Sequence, residues 1–204
     1  MTDATTASPS PARCADGSDS AGSGADTGDG SPDRPPSAGD AGQLDLDIID
    51  ATGRLAGEDI AWLRDMLRRA ATELHATGEI RVRVVADAEI AEAHERWSGV
   101  AGTTDVLTFD LRDSASGPLD VDALVCIDEA ERRAAEREHA PRSELLLYVL
   151  HAILHCMGHD DHTDAAYAAM HAREDEVLEA IGVGPLFESR QVDARPFDQR
   201  GGTS

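Results

Sequence analysis

The chain contains no lysine: its 18 basic side chains are all arginine, set against 40 acidic ones, and the formal net charge is −22. Such an excess keeps a protein soluble, repels polyanions at long range and weighs against a generic nucleic-acid binder. Cysteine pairs are lacking too, since Cys14, Cys126 and Cys156 stand at unrelated spacings and none forms a CxxC. That pattern argues against a disulfide framework and fits a reducing compartment. No stretch reaches the roughly 20 apolar residues of a membrane span, and the basic start and apolar run of a secretory leader are missing. Together these absences point to a cytoplasmic protein without a membrane partner.

What is present suffices for one domain: 204 residues, 41% of them hydrophobic. From Met1 to about Gly42 the chain is Ser, Gly, Asp, Thr, Ala and Pro, with no large aliphatic residue after Met1. Such a segment buries too little apolar surface to offset its conformational entropy, so residues 1–42 read as a disordered acidic tail. Residues 186–204, rich in Arg, Asp and Gly, read as a flexible C-terminal tail, leaving a domain at 43–185.

Within that domain LDLDII (Leu44 to Ile49) alternates like a half-buried or edge strand. Ile60, Leu63, Leu67, Ala71 and Leu74 form a helical stripe over Glu58 to Ala76. EIRVRVVAD (Glu79 to Asp87) is a second strand, and Asp87 is expected to cap a helix from Ala88 to Trp97. TDVLTFDL and DALVCID are β-rich runs separated by the turn-forming SASGP, and Glu129 to Glu138 is a charged helix. SELLLYVLHAILHCM (Ser143 to Met157) is apolar nearly all round, hence a buried central helix, with Ser143 expected as N-cap and Gly158 as its C′ residue. Thr163 or Asp164 starts a last helix that stops at Gly182. The order β-α-β-α-β-β-α-α-α predicts an α+β fold, a mixed sheet of about four strands covered by helices.

The chemistry concentrates in HAILHCMGHDDH, residues 151 to 162. His151 and His155 lie four residues apart on the central helix, about 40° apart around its axis, so both imidazoles can close on one cation. Gly158 lets the chain double back, so that a third ligand can arrive from the following turn HDDH, residues 159 to 162. Three protein ligands and one open position make the plan of a catalytic rather than structural zinc site. Cys156 points about 100° away from His155 and reads as core filler. The spacing overlaps that of metzincin proteases, but position 152, where a protease carries its general base, is Ala152.

The same stretch resembles the YbeY family of bacterial single-strand endoribonucleases. HAILHCMGHDD matches the signature H-G-x-L-H-L-x-G-Y-D-H at His151, Leu154, His155, Gly158 and Asp160, and TDVLTF (Thr104 to Phe109) matches T-D-V-L-S-F. The resemblance spans about residues 44 to 184 and implies a zinc-dependent endoribonuclease that processes single-stranded RNA. Its expected substrate is ribosomal RNA presented by a ribosomal subunit or partner protein; DNA is not expected. By register the family's third histidine falls on Asp161, with His162 the alternative ligand. His159 stands at the usual aromatic, where with Trp97 it would shape the cleft. Ser98 stands where the family carries a phosphate-gripping arginine, which leaves Arg96 as the candidate catalytic side chain; Thr104 and Thr108 are candidates for orienting substrate, and Asp105 for bracing a ligand histidine. Arginines 132, 133, 137 and 142 form the best local basic cluster. Two other readings stay open: a non-catalytic ribosome-associated factor with a structural metal, and a metallohydrolase of another substrate class.

Overall fold

The structure, a computed structural model, describes residues 44–186. The segments read as tails lie outside the described residues, apart from Leu186, whose N–H donates to Asp175 Oδ1 at 3.0 Å. The elements run β1 (Leu44–Asp50), α1 (Gly57–Glu73), β2 (Gly78–Val85), α2 (Asp87–Ser98), β3 (Val106–Asp110), β4 (Leu119–Cys126), α3 (Ile127–Arg137), α4 (Pro141–Cys156) and α5 (Asp164–Ala180). This is the α+β order expected from the sequence.

The four strands form one mixed sheet ordered β1-β2-β4-β3, in which only β3 runs antiparallel. The parallel pair β1 and β2 needs a crossover and obtains it from α1, whereas β3 and β4 need only the short connection through Ser114–Pro118. Period-two patterning gives the sheet two different faces. Leu44, Leu46, Ile48, Ile80, Val82, Val84, Val121 and Val125 face one core with α1 and α4. On the opposite face Arg81 makes ion pairs with Glu79, Asp120 and Asp122, and α2 covers a small second cluster of Val85, Ile90 and Cys126.

Helix α4 is the centre of the molecule. Leu145, Leu146, Leu150, Ile153 and Leu154 are fully buried, the sheet lies to one side, and α1, α3 and α5 pack around the rest. Truncating one such leucine to alanine costs about 2–5 kcal/mol. The helix starts earlier than expected. Pro141 takes the first turn after the N-cap Ala140, where its fixed φ and missing N–H suit the position. Ser143 is therefore inside the first turn and caps nothing. Asp87 is likewise the first residue of α2 rather than its cap. Its carboxylate accepts instead from Arg132 at 2.7 and 2.9 Å and from the Cys126 thiol at 3.1 Å, fastening α2 to α3. The expected stops are borne out, Gly158 and Gly182 following the C-caps of α4 and α5 at φ 96° and 84°.

One glycine determines strand spacing. Gly78 has φ 116° and pairs with Leu119, and an added Cβ would stand 2.1 Å from the Leu119 carbonyl oxygen. Because that obstacle is backbone, Gly78→Ala is expected to lower unfolding free energy by at least about 2 kcal/mol. A lower denaturant midpoint at unchanged slope would register it.

Candidate metal centre

Helix α4 brings His151 and His155 to the same side, and Gly158 returns the chain so that Asp161 joins them. The two Nε2 atoms stand 3.0 Å apart, and Asp161 Oδ2 lies 3.8 Å from the first and 3.6 Å from the second. Tetrahedral coordination with zinc bonds of about 2.0–2.1 Å separates ligand atoms by about 3.3 Å. The three atoms therefore already form one triangular face of such a site.

The outward nitrogens explain why the inward ones are available. His151 Nδ1 meets Glu174 Oε1 at 2.7 Å, and His155 Nδ1 meets the His159 carbonyl at 3.0 Å. Both partners accept, so both Nδ1 atoms donate. In the neutral rings each Nε2 then carries a lone pair, and the two lone pairs point at one another. Only a proton or a cation between them relieves that repulsion. Burial alone would lower the His151 pKa, but the Glu174 hydrogen bond and the charges of Glu174, Asp105 and Asp161 outweigh it and raise the pKa. Burial would raise Asp161, yet the His162 contact and the charges of His155 and His151 hold its carboxyl below the usual range. The pocket attracts positive charge from both directions.

His162 takes no part in the triangle. Its side chain is exposed, and its Nδ1 approaches Asp160 Oδ1 and Asp161 Oδ1 at 3.0 and 3.1 Å. Ala152 is buried, so the position points into the core and offers the site nothing. Burial pushes the Cys156 thiol up to about 11, as suits core filler.

The site opens into a groove of about 970 Å³ lined by His151, Asp161, Asp105, Tyr148, Arg133 and Arg137 among others. Of the basic cluster read from the sequence, Arg133 and Arg137 reach the groove, while Arg132 turns to Asp87 and Arg142 pairs with Asp59. Strand β3 borders the site: Asp105, just before it, lies in the groove, and Arg112, just after it, donates to the Cys156 carbonyl. Asp105 makes no hydrogen bond to either histidine, whose Nδ1 atoms are taken by Glu174 and the His159 carbonyl; its Oδ1 accepts from Val106 N–H at 2.8 Å and the Thr104 hydroxyl at 3.1 Å, and it acts on His151 through charge alone. Thr104 is thus tied into that turn, and Thr108 lies on β3; neither lines the groove. Arg96 sits over the Trp97 ring, 5.2 Å from its centroid, with Ser98 exposed beside it.

Sequence reading missed Glu174. Fully buried on α5, it holds His151 with one oxygen and His171 Nδ1 with the other. The i, i+3 spacing of His171 and Glu174 was the available signal, and only the docking of α5 on α4 shows which candidate ligand Glu174 serves.

Comparison with known proteins places the chain in a family. The sequence model of the family described as "Endoribonuclease YbeY" matches residues 52–182. A protein of that name from Acidothermus cellulolyticus is 32% identical over 139 residues, covering 62% of this chain and 82% of the relative. Another from Geobacillus thermodenitrificans is 28% identical over 152 residues, 69% of this chain and 97% of its own. The solution structure of a Thermotoga maritima protein shares the fold at a TM-score of 0.50 and 24% identity, covering 77% of this chain and all of that one. This chain is a member of the YbeY endoribonuclease family.

Proposed function

We propose that this protein is a metal-dependent, single-strand-specific endoribonuclease of ribosomal RNA maturation and ribosome quality control, with one zinc ion held by His151, His155 and Asp161. The convergence of two lone-pair Nε2 atoms and a carboxylate oxygen on one point carries the reading. Two imidazoles and a carboxylate suit zinc among the divalent ions. Family membership supports RNA as the substrate.

A zinc ion there would supply Lewis acidity toward a phosphoryl oxygen and a nucleophile at neutral pH. The chain's own residues do the rest. Glu174 and the His159 carbonyl fix ring orientation and tautomer at the two histidines. Asp161 adds one negative charge, leaving the loaded centre net positive toward an approaching phosphate. Arg133 and Arg137 face the same groove, but their pairing with Glu129 and Glu144 limits what they can give to RNA. Affinity for free RNA is therefore low, and presentation by a ribosomal subunit or partner protein supplies the missing binding energy. A ribosomal RNA substrate implies a cytoplasmic enzyme, and among the described residues no helix is long and apolar enough to cross a membrane. The catalytic domain is proposed at 43–185, between tails at 1–42 and 186–204.

Purified protein is expected to cut single-stranded RNA in a reaction that chelator stops and zinc restores. If chelation melts the domain while no RNA is ever cut, the metal is structural and the enzymatic reading falls. Elemental analysis should find bound zinc lost in Asp161→Ala and kept in His162→Ala; the reverse would make His162 the ligand. Glu174→Gln, which keeps the size but weakens the acceptor, should lower zinc affinity about 10- to 100-fold in a competitive chelator titration.

A further inference from the structure

We propose that the exposed face of Trp97, with Arg96 beside it, is a stacking platform for an unpaired base of single-stranded RNA, across strand β3 from the metal centre. The inference rests on the functional reading above and extends it to how the substrate is held.

Helix α2 sets up the platform. Ile90 is its buried residue, and Trp97, seven positions later, continues the same face about 20° off. Ile90 rests on Val85 and Cys126 in the small second core. Trp97 stands two residues before Gly99, the C-cap at φ 69°, and so at the very end of the helix. Trp97 consequently remains 64% exposed. It is held by the Phe109 ring in an edge contact at 5.8 Å, which fixes the indole without enclosing it. An exposed tryptophan fixed in place presents a large aromatic face at little entropic cost.

Position makes that face relevant. Side chains of β3 alternate: Val106 joins the main core with α4, and Leu107 joins the second cluster with α2. Phe109 shares the face of Leu107, so Trp97 and the metal centre flank the same edge strand from opposite sides. A single strand that crosses the edge at β3 would meet the metal on one side and the indole on the other.

Charge selects the occupant. In this acidic chain most described arginines are neutralised by carboxylates: Arg54, Arg69, Arg81, Arg83, Arg112, Arg132, Arg133, Arg137, Arg142 and Arg173 all make ion pairs. Among the described residues only Arg64 and Arg68, both on α1, and Arg96 make none. The guanidinium near β3 that no carboxylate neutralises is therefore the one that lies over the exposed tryptophan. An aromatic ring carrying such a cation is the combination that takes a base together with its phosphate.

The test uses the full chain with Trp62→Phe, so that Trp97 is the remaining tryptophan, in chelator to prevent cleavage. A single-stranded oligoribonucleotide should quench Trp97 fluorescence saturably, and an RNA duplex should not. Trp97→Leu should weaken single-strand binding about 5- to 140-fold, since one stacked base contributes about 1–3 kcal/mol. The KM for cleavage should rise by a similar factor with zinc restored. Trp97→Phe should recover part of the loss. Arg96→Gln should reduce the salt slope of binding by about 0.7, the loss of one phosphate contact. Cleavage and binding by Trp97→Leu equal to those of the parent would overturn the platform and leave the nuclease reading intact. Neither binding nor cleavage by the parent would overturn both. Self-association that Trp97→Leu abolishes, with RNA affinity unchanged, would overturn the platform in favour of a second copy on this face.

Discussion

Two imidazole nitrogens held with their lone pairs facing each other are the constraint around which this domain is organised. Left alone, His151 and His155 would turn apart or share a proton. They cannot turn, because Glu174 and the His159 carbonyl occupy their other nitrogens. Each of those partners depends on a larger element: Glu174 on α5 packing against α4, and His159 on Gly158 redirecting the chain at a positive φ. The close-packed surroundings of α4 thus serve electrostatics as well as stability.

Much of this was legible in the sequence because it is written in local periodicity. An all-apolar helix must be central, two histidines four apart must share a side, and a glycine after the last helical residue must end the helix. Strands announced themselves by alternation and by the turn residues between β3 and β4. Helix starts were harder to read. Ser143 and Asp87 have the right chemistry for caps, yet Pro141 begins α4 earlier and Arg132 takes the Asp87 carboxylate. Asp105 is a similar case: its Oδ1 is taken by a local turn, and Glu174 and the His159 carbonyl hold the two Nδ1 atoms it could have braced. Glu174 could not be assigned at all, because its partner lies 23 residues away. Periodicity within an element could be read; which of several competing partners a polar side chain takes, and what meets across elements, could not.

Charge shows the same division. Composition reports a large acidic excess, but only the folded arrangement reports which cations have been used. Arg132 joins α3 to the start of α2 through Asp87, Arg54 ties the loop after β1 to the start of α3 through Asp128, and Arg81 crosslinks the open face of the sheet. Exposed pairs of this kind contribute little stability each, about 0–1 kcal/mol. Their larger effect is to remove positive charge from the surface, so what a polyanion can find is decided by the few arginines left over.

Because Glu174 belongs to the last of the described helices, the centre has an order of construction. A ribosome extrudes the two histidines and the aspartate before their carboxylate brace, and until α5 docks, His151 lacks the acceptor that orients its ring. Maturation of the candidate metal pocket is therefore a late event in the biogenesis of the domain.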